Sequence, residues 1–185
     1  MASASPQRRA ILDQLGVPHV VAAQDVEELE AGEPAEVALE NARRKASAAR
    51  RAADGRLVLA CDTVVALDGR LYGKPRDAAH ARETLAALAG RTHDVVSGVV
   101  LGDRQATAVT RVTFRAAGEA LLDWYVATGE WQGRAGGYAI QGRGAALVAA
   151  IVGDYLNVVG LPVAALLDLA PELLVQASSD STSSR

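Results

Sequence analysis

Lysine is scarce in this chain of 185 residues: Lys45 and Lys74 stand beside seventeen arginines. A compact ammonium is not interchangeable with a planar guanidinium where a point charge must meet phosphate oxygens, so the two lysines mark candidate chemistry. Cysteine is scarcer still. The single Cys61 excludes an internal disulfide framework and fits a reducing compartment. Aromatic residues make up 4% of the chain against 50% hydrophobic residues, which leaves Ala, Val and Leu to build the core. The longest apolar run, residues 145–152, falls far short of the roughly 20 residues that span a bilayer. No charged-then-apolar segment resembling a secretory signal opens the chain, so the protein reads as cytoplasmic and without a membrane partner. A basic surplus is missing too. The net charge of −3 and pI of about 5.6 argue against nucleic acid as a partner.

What is present alternates between strand-like and helix-like stretches, which favours an α/β class. The length suits one domain over residues 1–175, and the polar, serine-rich residues 176–185 are expected to be a disordered tail. Ser5-Pro6 opens a short helix over 7–15, and Gly16 stops it. Residues 19–23 read as a strand, 25–34 as an acidic loop, and 35–53 as a long helix ended by Asp54-Gly55. An apolar strand at 57–60 leads into Cys61-Asp62-Thr63, and 64–67 continues extended to the hairpin signal Asp68-Gly69. A helix over 77–89, two strands at 95–101 and 106–114, and a helix over 119–128 follow. Residues 129–144 are glycine-rich and read as a functional loop or bent strand. A buried strand at 145–151 and a closing helix at 163–174 complete the pattern.

Several positions are suited to phosphate chemistry. Ser3, Ser5, Gln7, Arg8 and Arg9 surround a helix N-terminus, where free N–H groups and the dipole attract anions. Asp62 follows an apolar strand, and strand ends are where open α/β sheets bind ligands. It can hold a divalent cation or orient water, and Thr63 can offer its hydroxyl. Alone, Asp62 reads equally well as a turn residue. Glu27 and Glu28 form a second carboxylate locus in the acidic loop. Cys61 reads as a small buried residue and His93 as structural, because neither has a partner at catalytic or metal-ligand spacing. Gly73-Lys74-Pro75 is not a Walker A loop, because proline removes the required hydroxyl and an amide donor. Together the carboxylates, the two lysines and Arg8 point to a nucleotide or phosphoester substrate with a hard cation such as Mg²⁺. They do not choose the bond cleaved.

Seven stretches, in order and over nearly the whole chain, resemble the Maf family of nucleoside triphosphate pyrophosphatases. They are Ala2-Ser3-Ala4-Ser5-Pro6-Gln7-Arg8, Ala42-Arg43-Arg44-Lys45-Ala46, Cys61-Asp62-Thr63-Val64-Val65, Gly73-Lys74-Pro75, Gly90-Arg91-Thr92-His93, Arg134-Ala135-Gly136-Gly137-Tyr138-Ala139-Ile140-Gln141-Gly142 and Asn157-Val158-Val159-Gly160-Leu161-Pro162. The resemblance implies a Maf-like (ITPase-like) α/β fold: a mixed, twisted sheet with flanking helices and two lobes around a central cleft. It implies hydrolysis of an NTP to NMP and pyrophosphate with Mg²⁺ or Mn²⁺, and a homodimer. Asp62 matches the family's proton acceptor, and Glu28 lies near its acidic metal-associated position, with Asp62 as second metal residue. Ser3, Ser5, Arg8, Lys45 and Lys74 fall in the cleft that meets the triphosphate. Gln7, Thr63 and Gln141 occupy a three-position specificity code.

Thr63 and Gln141 resemble the branch acting on dTTP and UTP, whereas Gln7 departs from the Arg or Trp usual there. Arg134 stands where the family usually has lysine, and Cys61 replaces a small alanine. The family usually places an apolar strand before the first motif, so either the true start lies upstream or that strand is cut to almost nothing. An alternative reading of the same resemblance is a nucleotide-binding regulator of septum formation with little turnover. A nucleic-acid binder using Arg43, Arg44, Arg50 and Arg51 is less favoured, since those arginines read as a solvated helix face.

Overall fold

The computed structural model describes residues 1–174, and the tail expected to be disordered, 176–185, lies outside them. Five strands form one sheet: β1 (Leu59–Leu67), β2 (Arg70–Tyr72), β3 (Thr92–Leu101), β4 (Arg104–Phe114) and β5 (Val148–Val152). The spatial order is β2-β1-β3-β4-β5. Every pairing among these strands is antiparallel, so the α/β class holds while the mixed sheet is corrected to an antiparallel one. Short turns explain this. Asp68 and Gly69 take positive φ of 51° and 76°, which closes the β1–β2 hairpin with the strands' own twist. Because β2 has three residues, it covers only Val65 to Leu67 of β1, and on that side the edge from Asp62 to Val64 has no strand beside it among the described residues.

Helices cover both faces of the sheet. α2 (Pro34–Arg50) lies over β1 and β3, burying Ala38, Ala42, Ala46 and Ala49. Gly98 permits this close approach: a Cβ there would sit 2.5 Å from the Ala38 carbonyl oxygen and the Leu39 backbone. Two apolar clusters form on the opposite side. One gathers Leu59, Cys61, Val99 and Leu101 with α1 (Pro6–Gln14) and α6 (Val163–Leu169). The other gathers Val65, Val95, Val112 and Phe114 with α3 (Ala78–Leu88) and α4 (Glu119–Ala127). The half-buried Thr63 and the buried Ser97, directly opposite in register, lie between these clusters along the strands.

Several element boundaries differ from those read in the sequence. Residues 19–23 form no strand, because among the described residues their backbone bonds reach only Met1: its ammonium donates to the Val20 carbonyl and its carbonyl accepts from Ala22 N–H. The helix expected to 53 ends at Arg50, and the closing helix ends at Leu169. The expected buried strand at 145–151 begins only at Val148 and is a half-exposed sheet edge, because residues 143–147 are taken up by a 3-10 turn. The glycine-rich stretch is a loop carrying two 3-10 turns, over Ala135–Gly137 and Arg143–Leu147.

Candidate active site

Asp62 lies in the middle of β1, not at a strand exit as its sequence neighbours suggested. Strand alternation sends it toward α2 while Cys61 points into the apolar cluster on the other side. Across from Asp62, Asn41 and Lys45 stand four residues apart on α2, on one helix face. The Lys45 ammonium contacts Asp62 Oδ1 directly and lies 2.8 Å from Glu28 Oε1. Asn41 donates from Nδ2 to Asp62 Oδ2 at 3.1 Å. The same amide accepts from Leu29 N–H at 2.7 Å and donates to the Leu29 carbonyl, so the acidic loop is fastened beside Asp62. Glu28 thus owes its position to a buried asparagine that sequence reasoning missed. Its one signal was a polar residue on the alanine face of a helix.

A second network surrounds Arg8. Its guanidinium donates to the Gly160 carbonyl at 2.6 Å, to Ser3 Oγ at 3.0 Å and to Thr63 Oγ1 at 3.2 Å. Thr63 Oγ1 also meets Ser97 Oγ at 2.8 Å. Ser5 caps α1 by accepting from Arg8 N–H, and its hydroxyl donates to Gln7 Oε1 at 2.9 Å. Ser3, Ser5, Gln7, Arg8 and Thr63 are therefore one hydrogen-bonded unit. The short helix α5 (Tyr155–Val159), which ends at Gly160, is held from below, where Asn157 donates to the Val95 carbonyl and to Thr110 Oγ1, both at 3.0 Å.

Lys74 enters from the turn after β2. That turn is pinned by the glycine-rich loop, where Gly136 N–H donates to the Gly73 carbonyl at 3.1 Å. Gly137, at φ 68°, lets the loop sit against Pro75, since a Cβ there would come within 3.0 Å of the proline ring. Lys74 has no ion-pair or hydrogen-bond partner among the described residues. A cavity of about 400 Å³ joins the networks at the open edge of β1, lined by Glu28, Asn41, Asp62, Thr63 and Lys74. Lys45 reaches it by gripping two of its carboxylates. Gln7 and Gln141 instead line a neighbouring cavity of about 570 Å³ with Tyr155 and Leu156. A third cavity of about 440 Å³, lined by residues such as Leu12, Val17, Ala52 and Leu101, is mainly apolar and holds none of these groups. Chemistry, not volume, distinguishes the site.

Glu28 and Asp62 offer hard oxygen donors that converge on one ammonium, so they also suit one divalent cation. Among the described residues no three or more carboxylate, imidazole or thiolate groups converge, so such a cation would complete its shell with phosphate oxygens and water. Other candidates have structural roles. Burial pushes the Cys61 thiol up, and its Sγ donates to the Gly160 carbonyl, which makes it a poor nucleophile. His93 is buried against Phe114 and meets Tyr138 Oη at 2.9 Å, and burial holds its pKa down at about 4. Arg134 turns back on its own loop, donating to the Glu130 and Gln132 carbonyls. Arg43, Arg44 and Arg50 are engaged by Glu40, Gln105, Asp103 and two loop carbonyls.

The sequence model of one family, described as Maf-like protein, matches residues 1–173. The chain belongs to the Maf family. Among its relatives, the dTTP/UTP pyrophosphatase of Symbiobacterium thermophilum is 47% identical over 168 residues, covering 88% of this chain and 87% of the relative. The dTTP/UTP pyrophosphatase of Myxococcus xanthus is 48% identical over 167 residues, covering 88% and 85%. That of Pyrococcus furiosus is 41% identical over 175 residues, covering 91% and 92%. The Maf stretches read in the sequence thus extend to similarity over most of the chain with proteins of one named activity. No helix among the described residues is long and apolar enough to cross a membrane.

Proposed function

We propose that this Maf protein hydrolyses a pyrimidine nucleoside triphosphate, dTTP or UTP, to the monophosphate and pyrophosphate. The carrying observation is the convergence of Asp62, Glu28 and Lys45, with Lys74 lining the same cavity, beside an Arg8–Thr63 pair. The names of its relatives, at two-fifths or more identity over most of the chain, support the same activity.

In this reading Asp62 is the proton acceptor. A carboxylate has about four lone-pair positions, so donors from Lys45 and Asn41 leave others free to orient a water. The water oxygen attacks the α-phosphorus and gives its proton to Asp62. The bond from that phosphorus to the bridging oxygen breaks, and its electron pair leaves with pyrophosphate. Glu28 and Asp62 would hold Mg²⁺ or Mn²⁺, which when bound neutralises phosphate charge and polarises the phosphoryl group. Lys74 and Arg8 offset charge along the triphosphate, and Ser3 and Ser5 keep Arg8 and α1 in place. Gln7 and Gln141 contact the base from the neighbouring cavity, and Thr63 stands at the junction. In this reading the cleft lies between two lobes of a single domain over residues 1–175. A cytoplasmic homodimer without nucleic-acid or membrane partners completes the proposal.

Incubation with Mg²⁺ and dTTP or UTP tests it. Equal amounts of pyrophosphate and monophosphate are expected. Release of orthophosphate would overturn the assigned bond, and nucleotide binding without turnover would favour the septum-regulator alternative.

A further inference from the structure

The cavity at the edge of β1 is lined both by carboxylates, Glu28, Glu30 and Asp62, and by the basic side chains Arg70, Lys74 and His80. Arg70 and His80 belong to none of the stretches that identified the family. Their chemistry needs an explanation, because the familiar cations are largely engaged already. Lys45 is paired with two carboxylates, and Arg8 is bound to a carbonyl and two hydroxyls. Lys74 alone is a small counter-charge for a triphosphate that remains anionic after taking up one divalent cation.

Both additional side chains are prepared for an anion. The Arg70 guanidinium lies over the Tyr72 ring, 5.1 Å from its centroid, which orients the planar fork without using its N–H donors. His80 sits in the first turn of α3, where Asp77 caps its backbone N–H at 2.7 Å. Its Nδ1 accepts from Arg76 N–H at 3.4 Å, so Nε2 carries a proton and presents a donor from the opposite edge. β2 and the start of α3 flank Gly73-Lys74-Pro75, so the hairpin delivers Arg70, Lys74 and His80 as one unit.

We propose that Arg70 and His80 extend the Lys74 side of the cavity into a cradle for the pyrophosphate portion of the substrate, and hold that product after cleavage. This rests on the reading of the cavity as the triphosphate site. The fork of Arg70 suits two phosphate oxygens, and the His80 Nε2–H adds a directional hydrogen bond. The monophosphate portion, nearer Asp62 and Thr63, does not depend on either residue.

The test compares two products as ligands, measured by calorimetric titration with Mg²⁺ and so independently of turnover. Inorganic pyrophosphate should bind Arg70→Ala about fivefold more weakly than wild type, and His80→Ala about two- to threefold more weakly, as expected for partly exposed phosphate contacts. The double variant should lose more than either, Arg70→Lys should recover part of the loss, and dTMP affinity should stay within about twofold. Unchanged thermal midpoints would confirm intact folding. Wild-type pyrophosphate affinity in the double variant would overturn the cradle, as would equal weakening of pyrophosphate and dTMP. Wild-type protein that binds no pyrophosphate at all would overturn the triphosphate reading of the cavity together with the cradle.

Discussion

Asn41 Nδ2 lies 3.1 Å from Asp62 Oδ2, and the same side chain holds both backbone groups of Leu29. One buried amide thereby fixes the strand carboxylate and the acidic loop relative to each other. Asn41→Ala should cost about 1–3 kcal/mol, because it strands a loop N–H, a loop carbonyl and one carboxylate oxygen. It should also lower kcat, since Asp62 and Glu28 lose their common anchor. Asn41→Asp keeps the size but sets a second carboxylate against Asp62, so it should not rescue activity. Urea denaturation with steady-state kinetics checks both variants.

Gly98→Ala addresses the packing that brings α2 to the sheet. The added Cβ would lie 2.5 Å from backbone atoms of α2, which cannot yield as a flexible side chain would. Overpacking of this kind costs about 1–3 kcal/mol or more. The thermal midpoint should fall, and residual folded protein should have weak activity because Lys45 and Asn41 are displaced from Asp62. A stable, fully active Gly98→Ala protein would show that α2 can back away without moving the site.

His93 should give the fold an acid-sensitive component. The unfolded chain takes up this proton below its ordinary pKa of 6.5, whereas the folded chain resists it until about 4 because the ring is buried. Between those values the unfolded state binds more protons, so stability falls as pH falls. The full effect is about 3 kcal/mol, present above 6.5 and lost by about 4. In His93→Gln, which keeps a polar partner for Tyr138 Oη, the plot of stability against pH should flatten in that window. Calorimetric melts from pH 4 to 7 measure it.

Much of the site was legible because its residues carry types that phosphate chemistry restricts. Lys45, Asp62 and Glu28 were separately visible, and the structure makes them one ion-paired group. The second cavity was not legible, because Gln7 and Gln141 come to line it only where α1, residues 155–159 and the glycine-rich loop are brought together. Asn41 was hidden inside a good helix-forming stretch, where sequence alone does not say which face is buried. Asp62 looked like the end of a strand because Asp and Thr interrupt an apolar run, yet β3 pairs along β1 from Leu59 to Ala66 and carries the strand through. The strand expected at 19–23 failed for the opposite reason: its composition suited a strand, but only Met1 offered a bonding partner.

Asp62→Asn tests the proposed chemistry most directly, by turnover of dTTP alongside binding of the nucleotide to the same protein. The amide can still contact Lys45 and Asn41 but is a far weaker proton acceptor. Turnover should fall about a hundredfold or more while the fold persists and nucleotide still binds. Turnover close to wild type in the folded variant would mean that Asp62 does not take the proton.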